Sequence, residues 1–194
     1  MIKAVITDFD GTLVDTFEAN YEAYLLAFKK YYYELGYGLS RDQYQACFGL
    51  RFNAFMEYMK VFDPILRDKI KKEKARVYPL CFSSLKPNHT LISFIRCLKA
   101  SGVKIAIAST AQRNNLINVL NYLNLADLFD LIIAGDAVKV GKPNPEIYLT
   151  TMSQLNVCPS ETLIFEDSEV GLQSAEASGA NYIKITSDFI NNGN

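Results

Sequence analysis

The chain has 194 residues, a formal net charge of -1, 49% hydrophobic residues and 21% charged residues. That length buries a substantial core and has room for one domain with an insert. The near-neutral balance lacks the basic footprint of a nucleic-acid binder, and no apolar run reaches the length of a membrane span, so neither partner is expected. Met1-Ile2-Lys3 leads straight into a predicted strand, so no cleavable signal peptide is expected. Cys47, Cys81, Cys97 and Cys158 fit neither a zinc spacing nor a disulfide framework, and structural thiols in a reducing cytoplasm are expected.

The first predicted strand, Ile2–Asp8, leads into two carboxylates one residue apart, Asp8 and Asp10, then Gly11 and Thr12. Side chains alternate along a strand, so the two aspartates share a face where the chain stays extended. Two like charges so close repel unless a cation or a proton lies between them. A hard dication such as Mg2+ takes one or two carboxylates and leaves room for a substrate phosphate. The two aspartates therefore point to magnesium-assisted phosphate chemistry with a carboxylate nucleophile. A calcium loop of the EF-hand type also begins Asp-x-Asp, but it needs glycine at its sixth position, where this chain has Leu13.

The stretch from Thr16 to about Tyr78 is too long for one crossover between parallel strands and reads as an inserted unit of four helices. Thr16 caps the first, which carries Phe17, Tyr21, Tyr24, Leu25 and Phe28 and stops near Gly36. Ser40-x-x-Gln43 is a capping-box pattern for the second, stopped at Gly49. The third covers Phe52–Val61, and Asp63-Pro64 opens a fourth that runs to about Val77. The basic run from Arg67 to Arg76 reads as a solvated helix face, and Tyr31-Tyr32-Tyr33 as packing within the insert.

Beyond the insert, Asn88 caps a helix with Leu91, Phe94, Ile95 and Leu98 on one face and Gly102 past its end. Val103–Ser109, Leu131–Ala134, Thr162–Glu166 and Tyr182–Ile185 are further predicted strands. Asn144-Pro145 reads as a cap with proline at the first helical position, and the helix after Asp167 ends near Gly179. Near-continuous apolar strands separated by helix-length segments imply a parallel sheet covered on both faces. The expected fold is α/β, with a Rossmann-like core over residues 1–15 and 79–194 and a four-helix cap over residues 16–78.

In open sheets of this kind, ligands bind beyond the carboxyl ends of the strands. Every candidate functional residue follows such an end. Asp8 and Asp10 follow the first strand, Ser109 and Thr110 the second, Lys142 the third, and Glu166 with Asp167 the fourth. Asp8 can attack phosphorus and form an aspartyl-phosphate. Asp10 can protonate the leaving oxygen and then activate water. Ser109 and the Thr110 backbone N–H can bind phosphoryl oxygens, and Lys142 adds positive charge beside them.

Asp8-Phe9-Asp10-Gly11-Thr12-Leu13-Val14-Asp15-Thr16 resembles the first motif of the haloacid dehalogenase-like (HAD) phosphohydrolase superfamily. Ile105–Thr110, Gly141-Lys142-Pro143-Asn144-Pro145 and Glu166-Asp167-Ser168 resemble its other motifs, so the likeness runs from residue 2 to about 186. It implies a HAD-like fold with the cap of the beta-phosphoglucomutase and phosphoglycolate phosphatase branch. It also implies Mg2+ held by an Asp8 oxygen, the Asp10 carbonyl and Asp167, with Glu166 acting through a water.

In the cap, Arg51 resembles an arginine that meets a substrate's distal anionic group. Lys74 resembles a cap lysine that reaches the site. Asn20 stands where the mutases typically carry histidine. The implied substrate is a small phosphorylated metabolite, a sugar phosphate or a phosphoglycolate-like compound. A phosphatase, a phosphomutase and a catalytically silent binding module remain as readings. A true dehalogenase is disfavoured, because that branch lacks the second aspartate and Asp10 is present.

Overall fold

The computed structural model describes residues 1–31 and 38–186. The expected helix stop near Gly36, with Tyr32 and Tyr33, lies outside the described residues. In chain order the first elements are β1 (Ala4–Thr7), β2 (Val14–Asp15), α1 (Phe17–Tyr31), α2 (Arg41–Cys47), α3 (Phe52–Tyr58) and α4 (Pro64–Val77). A 3-10 helix, Tyr78–Ser84, leads to β3 (Lys86–Pro87), α5 (His89–Ala100), β4 (Lys104–Ala108) and α6 (Arg113–Tyr122). Then come β5 (Leu131–Ile133), α7 (Glu146–Leu155), β6 (Thr162–Glu166), α8 (Glu169–Ala177) and β7 (Asn181–Lys184).

The five apolar runs form one parallel sheet in the order β5-β4-β1-β6-β7. Ile6 of β1 lies opposite Ala106 of β4 on one side and Ile164 of β6 on the other. Those residues, with Ala4 and Ala108, share a buried face with Ile147, Tyr148, Met152 and Leu155 of α7 and Ala175 of α8. Val5, Ile105 and Ile107 alternate to the opposite face and are buried as well. With both faces covered, the central strands are nearly continuous in apolar residues, as in residues 4–6 and 105–108. Asn88 caps α5 by accepting the Leu91 N–H, and Gly102 follows in the left-handed region.

Several boundaries differ from expectation for local reasons. β1 stops at Thr7, and the chain bends at Phe9, whose carbonyl accepts both Leu13 N and Val14 N. Asp8 therefore lies one residue past the strand, still paired to β6 through its N–H, and Asp10 lies past the bend, bridged to Val14. α3 ends at Tyr58, short of Val61, and Lys60 takes a left-handed φ of 57°. α7 begins one residue late, because Pro145 is its cap while the Asn144 side chain accepts the Glu146 N–H at 2.9 Å. The two-residue antiparallel ribbon of β2 and β3 was too short to carry any pattern.

The chain divides into two compact units, Met1–Asp15 with the chain from Lys86 on, and Thr16–Leu85. The expected boundary at residue 78 falls short because the 3-10 helix continues directly from α4. It stays with the helical unit, where Ser84 Oγ donates to both Glu22 carboxylate oxygens at 3.0 and 3.1 Å. This unit has its own core of Phe28, Leu39, Tyr44, Phe55, Met56 and Ile70. Its aromatics pack on one another. Phe17 and Tyr44 have ring centroids 5.2 Å apart, and Tyr24 meets Phe55 edge-on at 4.8 Å. The predicted capping box is formed, with Ser40 accepting from Gln43 N and Gln43 accepting from Ser40 N.

Candidate active site

Within the sheet unit, the segments that follow β1, β5 and β6 bring their charged residues together. Asp8 follows β1 and stays tied to the sheet through its N–H, which donates to the Phe165 carbonyl at 2.9 Å. Lys142 Nζ donates to Asp8 Oδ1 and to Glu166 Oε2, both at 2.6 Å. The three side chains are 4%, 9% and 1% exposed. The Lys142 loop is anchored from both ends. Lys139 N and Val140 N donate to the Glu146 carboxylate, and Ser174 Oγ of α8 donates to the Asn144 carbonyl.

Glu166 ends β6 with its carboxylate crowded by donors. Oε2 accepts from Lys142 and from the Tyr148 hydroxyl at 2.6 Å. Oε1 accepts from Asp167 N, Ser168 N and Ser168 Oγ. Asp167 Oδ1 accepts from the buried Thr12 hydroxyl at 2.6 Å, which ties the first motif to the last. Two glycines make room for these acids. A Cβ at Gly11, whose φ is +90°, would lie 2.3 Å from Asp167 Oδ2, and one at Gly171 would lie 2.0 Å from the Glu166 carboxyl carbon.

The electrostatics follow from burial and crowding. Burial, then the charges of Glu166 and Asp167, pushes Asp8 well above the usual carboxylate range against the pull of Lys142. Burial and Glu166 raise Asp167 to about 6, despite the Thr12 hydrogen bond. Burial would lower Lys142, but Asp8, Tyr148 and Glu166 outweigh it and hold the ammonium well above its ordinary value. Burial also works against Glu166, yet the Lys142 charge and its hydrogen bonds keep that carboxyl low. Glu166 and Lys142 are thus a fixed ion pair. Asp8 and Asp167 are two acids that resist ionising together.

A small hard dication fits that donor set. Asp8, Glu166 and Asp167 each offer a carboxylate oxygen within 4.8 Å of the others, and all the donors are oxygens, as magnesium prefers. Lys142 donates to one Asp8 oxygen and Thr12 to one Asp167 oxygen, whereas both oxygens of Glu166 accept hydrogen bonds.

The remaining predicted residues are placed as follows. Asp10 is half-buried in the turn, bridged to Val14. Ser109 is buried at the end of β4, where its N–H donates to the Ile133 carbonyl and its Oγ accepts from Ala111 N. Thr110 is half-buried beside it, and both stand outside the hydrogen bonds of the Lys142 cluster. Asn20, Arg51 and Lys74 belong to the helical unit. Asn20 Nδ2 donates back to the Thr16 carbonyl at 3.1 Å. Arg51 is exposed at the N-cap of α3. Lys74 is buried, its Nζ 3.7 Å from the Tyr78 ring centroid and 5.3 Å from that of Tyr24.

Tyr148 was not anticipated. In sequence it is one apolar position among Ile147, Thr151, Met152 and Leu155 on the buried face of α7, and no local pattern separates it from them. Thr12 and Ser168 lie inside the recognised motifs, but their contacts to Asp167 and Glu166 span the fold or follow the turn, which no local sequence pattern shows.

Residues 5–185 match the haloacid dehalogenase-like hydrolase family. A phosphorylated carbohydrates phosphatase of Thermotoga maritima is 31% identical over 99% of this chain and 88% of its own length. The beta-phosphoglucomutase of Bacillus subtilis is 29% identical over 92% of this chain and 80% of its own. The crystal structure of CbbY from Rhodobacter sphaeroides in complex with phosphate superposes with a TM-score of 0.82 at 24% identity, covering 100% of this chain and 90% of that one. That last likeness speaks for the fold; the match over residues 5–185 and the 31% identical relative speak for the family. With its acids and lysine gathered at the strand ends, the chain belongs to the haloacid dehalogenase-like hydrolase family, as an enzyme of its phosphatase and beta-phosphoglucomutase-like branch.

Proposed function

We propose that this chain is a magnesium-dependent phosphatase of a small phosphorylated carbohydrate, working through an aspartyl-phosphate on Asp8. The observation that carries the reading is the buried cluster in which Lys142 bridges Asp8 and Glu166 beside Asp167. The sheet unit is the catalytic core and Thr16–Leu85 the cap. An Asp8 oxygen forms the bond to phosphorus while the bond to the leaving oxygen breaks, and Asp10 supplies the proton that oxygen needs. Asp10 then takes a proton from water, which attacks the aspartyl-phosphate, releases phosphate and restores Asp8. Ser109 and the Thr110 N–H hold phosphoryl oxygens, and Lys142 keeps Asp8 oriented and offsets its charge. Asp8, the Asp10 carbonyl and Asp167 would hold magnesium, which would neutralise phosphate charge when bound. Glu166 serves this arrangement through Lys142. Arg51 of the cap is assigned to the substrate's distal anionic group, and Lys74 to substrate binding.

The names of two relatives, a phosphorylated carbohydrates phosphatase and a beta-phosphoglucomutase, support the substrate class. Asn20 supports hydrolysis over transfer, because it stands where the mutases typically carry histidine. Among the described residues no helix is long and apolar enough to cross a membrane. The free thiols of Cys47, Cys81, Cys97 and Cys158 favour a cytoplasmic setting.

The test is phosphate release from an aryl phosphate and from a panel of sugar phosphates. Asp8→Asn is expected to lower turnover by at least about a thousandfold, as loss of a nucleophile does. Turnover within tenfold of wild type would remove Asp8 from its role. Beta-glucose 1-phosphate with a trace of glucose 1,6-bisphosphate separates the mutase: glucose 6-phosphate formed without net phosphate release would replace the phosphatase reading.

A further inference from the structure

Tyr148 is fully buried in the first turn of α7, six residues after Lys142. A buried phenol needs an acceptor. The one it reaches is Glu166 Oε2, the same oxygen that Lys142 Nζ reaches, each at 2.6 Å. The tyrosine ring runs beside the lysine, with Nζ 4.9 Å from its centroid. Lys142 is thus bounded by Asp8, by Glu166 and by an aromatic face that attracts a desolvated cation. A hydrogen bond to a carboxylate is stronger than one between neutral groups. Without the hydroxyl, Oε2 keeps one donor of two. Glu166 is then held on its Oε2 side by Lys142 alone, and a shift about its Oε1 contacts carries the lysine with it.

We propose that Tyr148 is a positioning residue, holding Glu166, and through it the Lys142 ammonium, against Asp8. The catalytic meaning of this rests on the phosphatase reading; the geometry does not. A tyrosine that only fills the core has a different signature. Tyr148→Phe would then keep the ring and its volume, and would alter stability without altering the lysine.

In steady-state phosphate release with magnesium, Tyr148→Phe is expected to lower kcat about tenfold and to leave KM within about twofold, the size of one lost hydrogen bond to a charged group. Tyr148→Leu, which removes the ring as well, is expected to lower kcat further. Tyr148→Phe added to Glu166→Gln should cost less than the two effects summed, because one acts through the other. A second readout needs no turnover. In the metal-free protein, nitrogen-15 NMR should show slowly exchanging Lys142 ammonium protons, and in Tyr148→Phe they should exchange at least about tenfold faster, the same hydrogen-bond magnitude. Equal exchange rates, or strict additivity with Glu166→Gln, overturn the proposal. A wild-type chain without phosphatase activity sinks the functional reading instead, and the exchange rates then decide the tyrosine alone.

Discussion

Gly171 lies where a methyl group would sit 2.0 Å from the Glu166 carboxyl carbon. A side-chain end usually yields to such a contact, but this carboxylate is held by Lys142, Tyr148, Ser168 and two backbone N–H groups. Gly171→Ala must therefore displace Glu166 or push α8 off the sheet. We expect about 1–3 kcal/mol of destabilisation from overpacking and a fall of at least about tenfold in kcat, measured by denaturant unfolding and by phosphate release. Wild-type kcat in a stably folded variant would refute the claim that Glu166 must stay where it is. At this scale the sequence spoke unevenly. Asp8 and Asp167 stood out as charges just past apolar strands, because few buried segments tolerate a charge at such a strand end, and Lys142 stood out through its Gly141-Lys142-Pro143-Asn144-Pro145 string. Tyr148 did not, because a tyrosine on a buried helix face looks like any other core residue until its hydroxyl partner is located.

Elements whose signals are local were readable, and those that depend on neighbours were not. Ser40 with Gln43, Asn88 with Leu91, and Asp63 with Pro64 start their helices as their spacing predicts. The start of α7 slipped by one residue, because Asn144 and Pro145 can each serve as a cap and the anchored Lys142 loop decides between them. The fastening of α4 to α1 could not be read. Lys30 of α1 donates to Glu73 Oε2 at 2.8 Å, and Arg76 donates to both oxygens of the same carboxylate. Hydrogen bonds from Arg76 and Lys30 lower Glu73 from 4.5 to about 2. A depressed carboxyl contributes stability that is complete above its unfolded value near 4.5 and is lost as pH falls toward 2. The stability gap between wild type and Glu73→Gln, followed by thermal unfolding, is therefore expected to be constant from pH 8 to about pH 5 and to close between about pH 4 and pH 2. A gap independent of pH would show that the carboxylate does not act through its charge.

On the scale of the whole molecule, the candidate active site joins segments more than a hundred residues apart. Asp8 and Lys142 are 134 positions apart, and Thr12 and Asp167 are 155 apart. A cation shared by Asp8 and Asp167 would cross-link the ends of β1 and β6, which pair side by side. Magnesium at about a hundred times its dissociation constant is expected to stabilise the chain by about 2.7 kcal/mol, visible as a higher melting temperature that EDTA reverses. EDTA should abolish turnover and magnesium restore it. Activity in a metal-free preparation, or a melting temperature blind to magnesium, would count against the metal role of Asp167.

By itself the sequence determined the parallel α/β class, the helical insert and the motif acids and lysine, since each is written in apolar period, cap chemistry or a short string. Only the tertiary structure decided that Glu166 is the counter-ion of Lys142 and that Tyr148 shares it. It also decided that the insert's aromatics fill a core of their own. Which donor reaches a buried carboxylate depends on how strand ends and helices meet across the fold, and nothing local in the chain encodes that meeting.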